Sequence, residues 1–258
     1  MSTRFPAPST VAAGWARIPE PRPAARLRLI CFHAAGAGPS MYRSWASGLP
    51  EEVELVAVQL PGRETRLGEE RLTDYPTAVA AAFEGLAPLF SRPYALFGHS
   101  MGALLGYGVA LAAQRAGLRE PSRLLLSGCE GPGAWRTVPE RLTWSDQRLV
   151  EELRRNGGTP EEVLAMPELL ELVLPVLRSD YRIVDSFQPP AGGRLECPLS
   201  VFGGEEDRMD RDGLAAWSAV SRAECSVRMF PGGHFFLTGE AGPRVLAAIA
   251  ADLAATPA

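Results

Sequence analysis

Lysine is absent from this 258-residue chain: all 26 of its basic side chains are arginine. That gap removes whole chemistries, since there can be no Schiff-base lysine, no phosphate-loop lysine and no lysine general base. Histidine is nearly as scarce, with His33, His99 and His234 the full set. A two- or three-histidine metal site would consume almost all of them, so no metal and no cofactor is expected. The cysteines Cys31, Cys129, Cys197 and Cys225 are widely spaced and form no C-x-x-C pair, which disfavours zinc or a dithiol redox motif. Cys31, Cys197 and Cys225 fall within or beside candidate strands and read as buried free thiols. Any catalysis at neutral pH must draw on serine, cysteine, carboxylates and very few imidazoles.

An excess of one charge is missing too. Thirty acidic residues against 26 arginines leave a net charge of −4, and the arginines are scattered, so no footprint for nucleic acid is present. No stretch approaches the roughly 18 apolar residues of a membrane span. Met1 to Glu20 lacks an apolar h-region, so no signal peptide is read. With 46 % hydrophobic residues the chain can bury a sizeable core. A soluble, reduced, cytoplasmic enzyme fits best, and α/β chains of about 250 residues often form one domain, here 1–258.

What is present alternates. After an irregular Pro-, Ala- and Arg-rich lead-in over 1–24, short apolar runs mark strands at Leu27–Phe32, Leu55–Val58, Tyr94–Phe97, Leu124–Ser127, Leu199–Phe202 and Ser226–Phe230. Several are nearly continuous, as parallel strands covered on both faces should be. Helical patterns lie between them, near Tyr75–Leu89, Met101–Ala116, Asp212–Val220 and Pro243–Ala254. The alternation predicts an α/β fold with a doubly wound, mostly parallel sheet. The segment 131–190 breaks the pattern with helical signals only. Thr159-Pro160-Glu161-Glu162 resembles a capping-box start with proline at the first helical position. Leu169, Leu170, Val173, Leu174 and Leu177 follow at helical spacing, with a kink expected at Pro175. A helical insertion of this length is read as a lid subdomain or an interaction surface, with extra structural helices as the plainer alternative.

Gly98-His99-Ser100-Met101-Gly102 matches G-x-S-x-G between a candidate strand and a candidate helix, the context of a nucleophile elbow. The turn strains the serine backbone and lifts its hydroxyl above the sheet, while the two glycines leave room for close backbone packing. The helix N-terminus adds positive potential where an oxyanion would develop. Ser100 then needs a base. His99 sits inside the elbow and reads as structural, and His33 follows the first strand beside the expected oxyanion loop. His234, in Pro231-Gly232-Gly233-His234-Phe235-Phe236 after the last strand, is the preferred base, and it preserves the order Ser…Asp…His. Asp207, closing the turn after Leu199–Phe202, is the expected orienting acid. Its neighbours Glu205, Glu206 and Asp210 read as a solvated acidic turn. The oxyanion hole is assigned to the backbone N–H groups of Met101 and of Ala35, in the loop His33-Ala34-Ala35-Gly36-Ala37-Gly38. A dinucleotide fingerprint on that loop fails, because its third glycine would fall at Met41.

Taken in order, these blocks resemble the type II thioesterases that accompany polyketide synthases and non-ribosomal peptide synthetases. The likeness rests on Cys31-Phe32 with Tyr42-Arg43-Ser44-Trp45, on Gln59-Leu60-Pro61-Gly62-Arg63-Glu64, on the elbow, on Leu153 through Pro175 and on Phe230 through Phe236. It departs at His33-Ala34-Ala35-Gly36-Ala37, where the family commonly has Pro-His-Ala-Gly-Gly, and at Glu206-Asp207-Arg208, where Asp-Asp-Pro is frequent. The resemblance implies an α/β-hydrolase fold with 131–190 as helical lid. It implies hydrolysis of acyl thioesters from the phosphopantetheine arm of an acyl or peptidyl carrier protein. The residues alone imply only acyl transfer to water, which leaves a carboxylic-ester hydrolase or lipase with the same triad as the alternative. A binding or scaffold protein on a degenerate hydrolase fold is disfavoured by the intact Ser100, Asp207 and His234.

Overall fold

The computed structural model describes residues 14–189 and 194–255. The first 13 residues of the expected lead-in, and Pro190 at the end of the helical segment, lie outside the described residues.

The elements in chain order are β1 (Ala16–Arg17), β2 (Leu27–Phe32), β3 (Val53–Val58), α1 (Tyr75–Leu86), β4 (Tyr94–His99), α2 (Met101–Arg115) and β5 (Leu124–Ser127). There follow α3 (Asp146–Asn156), α4 (Glu161–Leu164), α5 (Pro167–Asp185), β6 (Leu199–Gly204), α6 (Arg211–Ala215), β7 (Cys225–Phe230) and α7 (Gly242–Ala254). All seven strands share one sheet in the order β1-β3-β2-β4-β5-β6-β7. Every pairing is parallel except that of the two-residue β1 with β3. Strands β2 to β6 are buried along their whole length, which is why they show as unbroken apolar runs.

Two apolar layers cover the sheet. On one face, Tyr75, Ala78, Ala82 and Leu86 of α1 join Leu104, Leu105 and Leu111 of α2. On the other, Tyr42 and Trp45 of a 3₁₀ segment (Pro39–Gly48) pack with Val245, Ile249 and Leu253 of α7. Helix α2 is buried nearly all round, as expected for a helix inside the core. The chain leaves β2 for β3 on one side of it and returns to β4 on the other. That reversal opens a crevice at the carboxyl ends of β2 and β4, where ligands sit in open α/β sheets.

The segment after β5 is helical and holds a small core of its own, formed by Leu149 and Leu153 (α3), Leu164 (α4) and Leu174, Leu177 and Tyr181 (α5). Its local structure corrects the expected capping box. Thr159 does not cap; Pro160 is the N-cap, with no side-chain hydrogen bond, and α4 lasts four residues. The chain restarts at Pro167, and Met166 is extended, because a residue before proline is pushed out of the helical region. Helix α5 runs on through Pro175 to Asp185. No helix among the described residues is long and apolar enough to cross a membrane.

Candidate active site

Strand β4 ends in the elbow. Ser100 has φ 55° and ψ −117°, a left-handed conformation that a serine adopts only under constraint. Its N–H donates to Ser127 O on β5 at 2.7 Å. The flanking glycines are required by contact: a Cβ on Gly98 would lie 2.0 Å from Gly102 O, and one on Gly102 would lie 2.1 Å from Phe32 O. Met101 is the first residue of α2, a position whose N–H has no partner within the helix.

The candidate acid and base follow adjacent strands, β6 and β7. Asp207 Oδ2 accepts from His234 Nδ1 at 2.8 Å, with side chains 2 % and 8 % exposed. The other carboxylate oxygen accepts the Arg208 N–H at 2.7 Å. The two loops are laced together, because Glu205 N–H and Glu206 N–H donate to Phe230 O and Gly232 O. Glu205 and Glu206 are exposed, as the sequence reading has them. Asp210 is exposed as well, and it also caps α6 by accepting from Gly213 N–H at 2.7 Å.

The remaining histidines separate cleanly. His99 is fully buried, with Nδ1 2.9 Å from Ser127 Oγ, and burial holds its pKa well below the ordinary value. Its ring lies 5.0 Å from that of His234, the candidate base. His33 is also buried, its pKa lowered to about 4 by burial and by the Arg63 charge, so the ring is neutral and Nδ1 donates to Ala34 O at 2.8 Å. His33 does not line the cavity that holds Ser100 and His234. The thiols are all free, and burial raises the pKa of each, to about 12 for Cys197, so none is poised as a nucleophile.

In the candidate oxyanion loop, His33 to Gly38, two amides are already committed. Ala37 N–H donates to Ala34 O at 3.1 Å and Gly36 N–H donates to Asp180 Oδ2 at 2.8 Å. Among the described residues Ala35 N–H has no protein acceptor. A cavity of about 970 Å³ is lined by Ala35, Ser100, Met101 and His234 and roofed by Leu172, Val173, Val176 and Leu177 of α5. Ser100 and His234 share it without a hydrogen bond between them, which is common before substrate tightens such a site. No group of three or more potential metal ligands occurs among the described residues. One residue of the site escaped sequence reasoning: Asp180, fully buried on α5, binds Arg63 through two 2.8 Å hydrogen bonds. Its signal is weak: Asp180 is one of two aspartates in a helix that also carries Glu168, Glu171, Arg178 and Arg182, and its partner lies 117 residues away.

A parallel sheet with a serine elbow after β4, and with an aspartate and a histidine at the carboxyl ends of the last two strands, defines an α/β-hydrolase-fold serine hydrolase arrangement. Residues 27–253 match the family described as Thioesterase domain. The chain is 38 % identical to the gramicidin S biosynthesis protein GrsT of Aneurinibacillus migulanus over 83 % of its own length and 84 % of that protein's. The solved type II thioesterase BorB from the borrelidin biosynthetic cluster superposes with a TM-score of 0.85 at 35 % identity, covering 95 % of this chain and 98 % of that one. RedJ, the thioesterase of the prodiginine pathway in Streptomyces coelicolor, gives 0.82 at 36 % identity, covering 89 % and 86 %. The chain belongs to the thioesterase family and is a thioester hydrolase.

Proposed function

We propose that the chain is an editing type II thioesterase of a polyketide or non-ribosomal peptide assembly line, releasing acyl groups from the phosphopantetheine arm of a carrier protein. The observation that carries this reading is one cavity shared by the serine, the histidine, two uncommitted amides and an apolar helical roof. Ser100 is the nucleophile, and its Oγ attacks the thioester carbonyl while His234 Nε2 takes the proton. Asp207 holds the imidazole in the required tautomer through Nδ1 and stabilises the imidazolium. The Ala35 and Met101 N–H groups bind the oxyanion. Collapse of the tetrahedral adduct returns the proton to sulfur, and the pantetheine thiol leaves. Water, deprotonated by the same imidazole, then hydrolyses the acyl-serine to free acid. The segment 131–190 acts as a lid over the acyl chamber, inserted in one hydrolase domain spanning 1–258, and the enzyme works in the cytoplasm without a cofactor.

The test is a panel of acyl-loaded carrier proteins beside the matching free acyl-pantetheine thioesters and simple oxygen esters. Faster turnover of carrier-bound thioesters is expected. Faster turnover of the oxygen esters would favour the carboxylic-ester hydrolase.

A further inference from the structure

We propose that Arg63 and Asp180 are positioning residues for oxyanion stabilisation, so that helix α5 sets the aim of the Ala35 amide as well as roofing the chamber. The inference rests on the reading of Ala35 as an oxyanion donor. The pair makes no hydrogen bond to Ser100, Asp207 or His234, yet it closes on the first and third peptide units after Ala35. Asp180 Oδ2 accepts from Gly36 N–H and from Arg63 Nη1, each at 2.8 Å, and Asp180 Oδ1 accepts from Arg63 Nη2 at 2.8 Å. Arg63 Nη1 also donates to Ala37 O at 2.9 Å. One carboxylate and one guanidinium therefore hold a donor and an acceptor of the same loop and bind each other through two hydrogen bonds, with Arg63 Nε left unpartnered.

The effect on Ala35 follows from peptide geometry. In a trans peptide the C=O and the N–H point in opposite directions. The Ala34 carbonyl is turned into the protein by Ala37 N–H at 3.1 Å and by His33 Nδ1 at 2.8 Å, which sends the Ala35 N–H the other way. The Ala35–Gly36 peptide is fixed by Asp180, which takes the Gly36 N–H out of competition for an incoming oxyanion. Gly36 stands at φ +75°, and a Cβ there would lie 3.2 Å from Leu177 Cδ1, so the loop packs directly on α5. The side chains of Arg63 and Asp180 are 5 % and 0 % exposed. A buried ion pair is seldom a net gain in stability over apolar packing of similar volume. What this pair supplies that apolar residues cannot is a directed hydrogen-bond scaffold for the loop.

Asp180→Asn keeps the shape but leaves one acceptor oxygen for three donors. Arg63→Lys keeps the charge but cannot make the two-pronged contact. For each variant, kcat and KM on an acyl-pantetheine thioester are measured. So is binding of two inhibitors with the same acyl chain, a trifluoromethyl ketone that forms an oxyanion with Ser100 and a non-hydrolysable thioether that does not. We expect kcat to fall about 10- to 100-fold with KM within about twofold, below the full loss of an oxyanion donor. Ketone affinity should fall in parallel while thioether affinity holds, with the lysine variant milder than the asparagine variant. An unchanged ketone-to-thioether affinity ratio in either folded variant overturns the proposal, as does failure of both variants to fold, which would assign the pair to stability alone. If the wild type itself neither hydrolyses the thioester nor binds the ketone, the functional reading fails instead, and the two failures are distinct.

Discussion

Ser100 is held at φ 55° with a Cβ, in a conformation that costs about 1–3 kcal/mol outside a supporting turn. The strain is relieved by removing the Cβ, so Ser100→Gly should unfold at higher denaturant, a gain of about 1 kcal/mol, while losing turnover. Ser100→Ala keeps the strain, gains no such stability, and should lose both turnover and fluorophosphonate labelling. Undiminished labelling of the alanine variant would remove Ser100 as nucleophile. His234→Ala should lower kcat about 10³-fold or more, as removal of one member of a triad does; retained activity would return His33 to consideration as base. His33 makes a separate prediction through stability. Its folded pKa of about 4 lies below the ordinary 6.5, so the native state favours the neutral ring. That contribution is complete above pH 6.5 and is lost as pH falls towards 4, in total about 3 kcal/mol. Urea midpoints from pH 7 to pH 4.5 should therefore fall more steeply for the wild type than for His33→Asn, and parallel slopes would contradict the buried neutral ring.

At the scale of elements, the elbow depends on three backbones meeting with no side chain between them. Gly102, at the second position of α2, touches the end of β2, where an added Cβ would meet Phe32 O at 2.1 Å and His33 O at 2.8 Å. Both contacts are backbone and cannot rotate away, so Gly102→Ala must push α2 off the sheet. A loss of about 3 kcal/mol is expected, equivalent to roughly 6–12 °C in Tm, with activity falling because Met101 N–H moves too. A thermal midpoint within 2 °C, roughly the resolution of such a shift, would show that the contact relaxes. The same elements explain what was legible in the sequence. Strands β2 to β6 are buried on both faces, so burial writes itself as apolar runs, and G-x-S-x-G marks where β4 turns into α2. Strand β1 has two residues and an exposed edge, too short to leave a pattern. The 3₁₀ segment Pro39–Gly48 lacks the 3.6-residue period that helix reading relies on, although Tyr42 and Trp45 anchor the second core layer through it. Ser100, Asp207 and His234, the proposed triad, could be nominated from the sequence because each follows the end of a strand, where topology alone determines the neighbourhood. The Arg63–Asp180 contact could not be, because partner choice between distant loops and helices is made by tertiary packing.

At the scale of the whole molecule, the helical segment is tied to both sides of the candidate site. Asp180 of α5 holds the candidate oxyanion loop, and Glu152 of α3, 2 % exposed, accepts from Arg208 beside the catalytic-acid candidate Asp207 at 3.2 Å. The helical segment that roofs the cavity is therefore hydrogen-bonded to the loops on both sides of it. Under the proposed function, two kinds of contact at the cavity entrance would be open to a carrier protein: the exposed arginines Arg136 and Arg208, and the half-exposed apolar side chains Leu67 and Leu172, all among the cavity-lining residues. With a net charge of −4 the chain as a whole does not attract an acidic partner, so any steering must be local to those guanidinium groups. Charge-guided docking between exposed groups weakens as the screening length shrinks from about 10 Å at 0.1 M salt to about half that at 0.4 M. If the arginines guide docking, kcat/KM for a carrier-bound thioester should fall several-fold over that range. The free acyl-pantetheine thioester, which carries no acidic surface, should be hydrolysed at nearly the same rate throughout. Arg136→Gln should flatten the carrier's salt dependence and leave its high-salt rate in place. Equal salt profiles for both substrates would assign docking to Leu67 and Leu172, and a Leu172→Ser variant would then raise KM for the carrier-bound substrate.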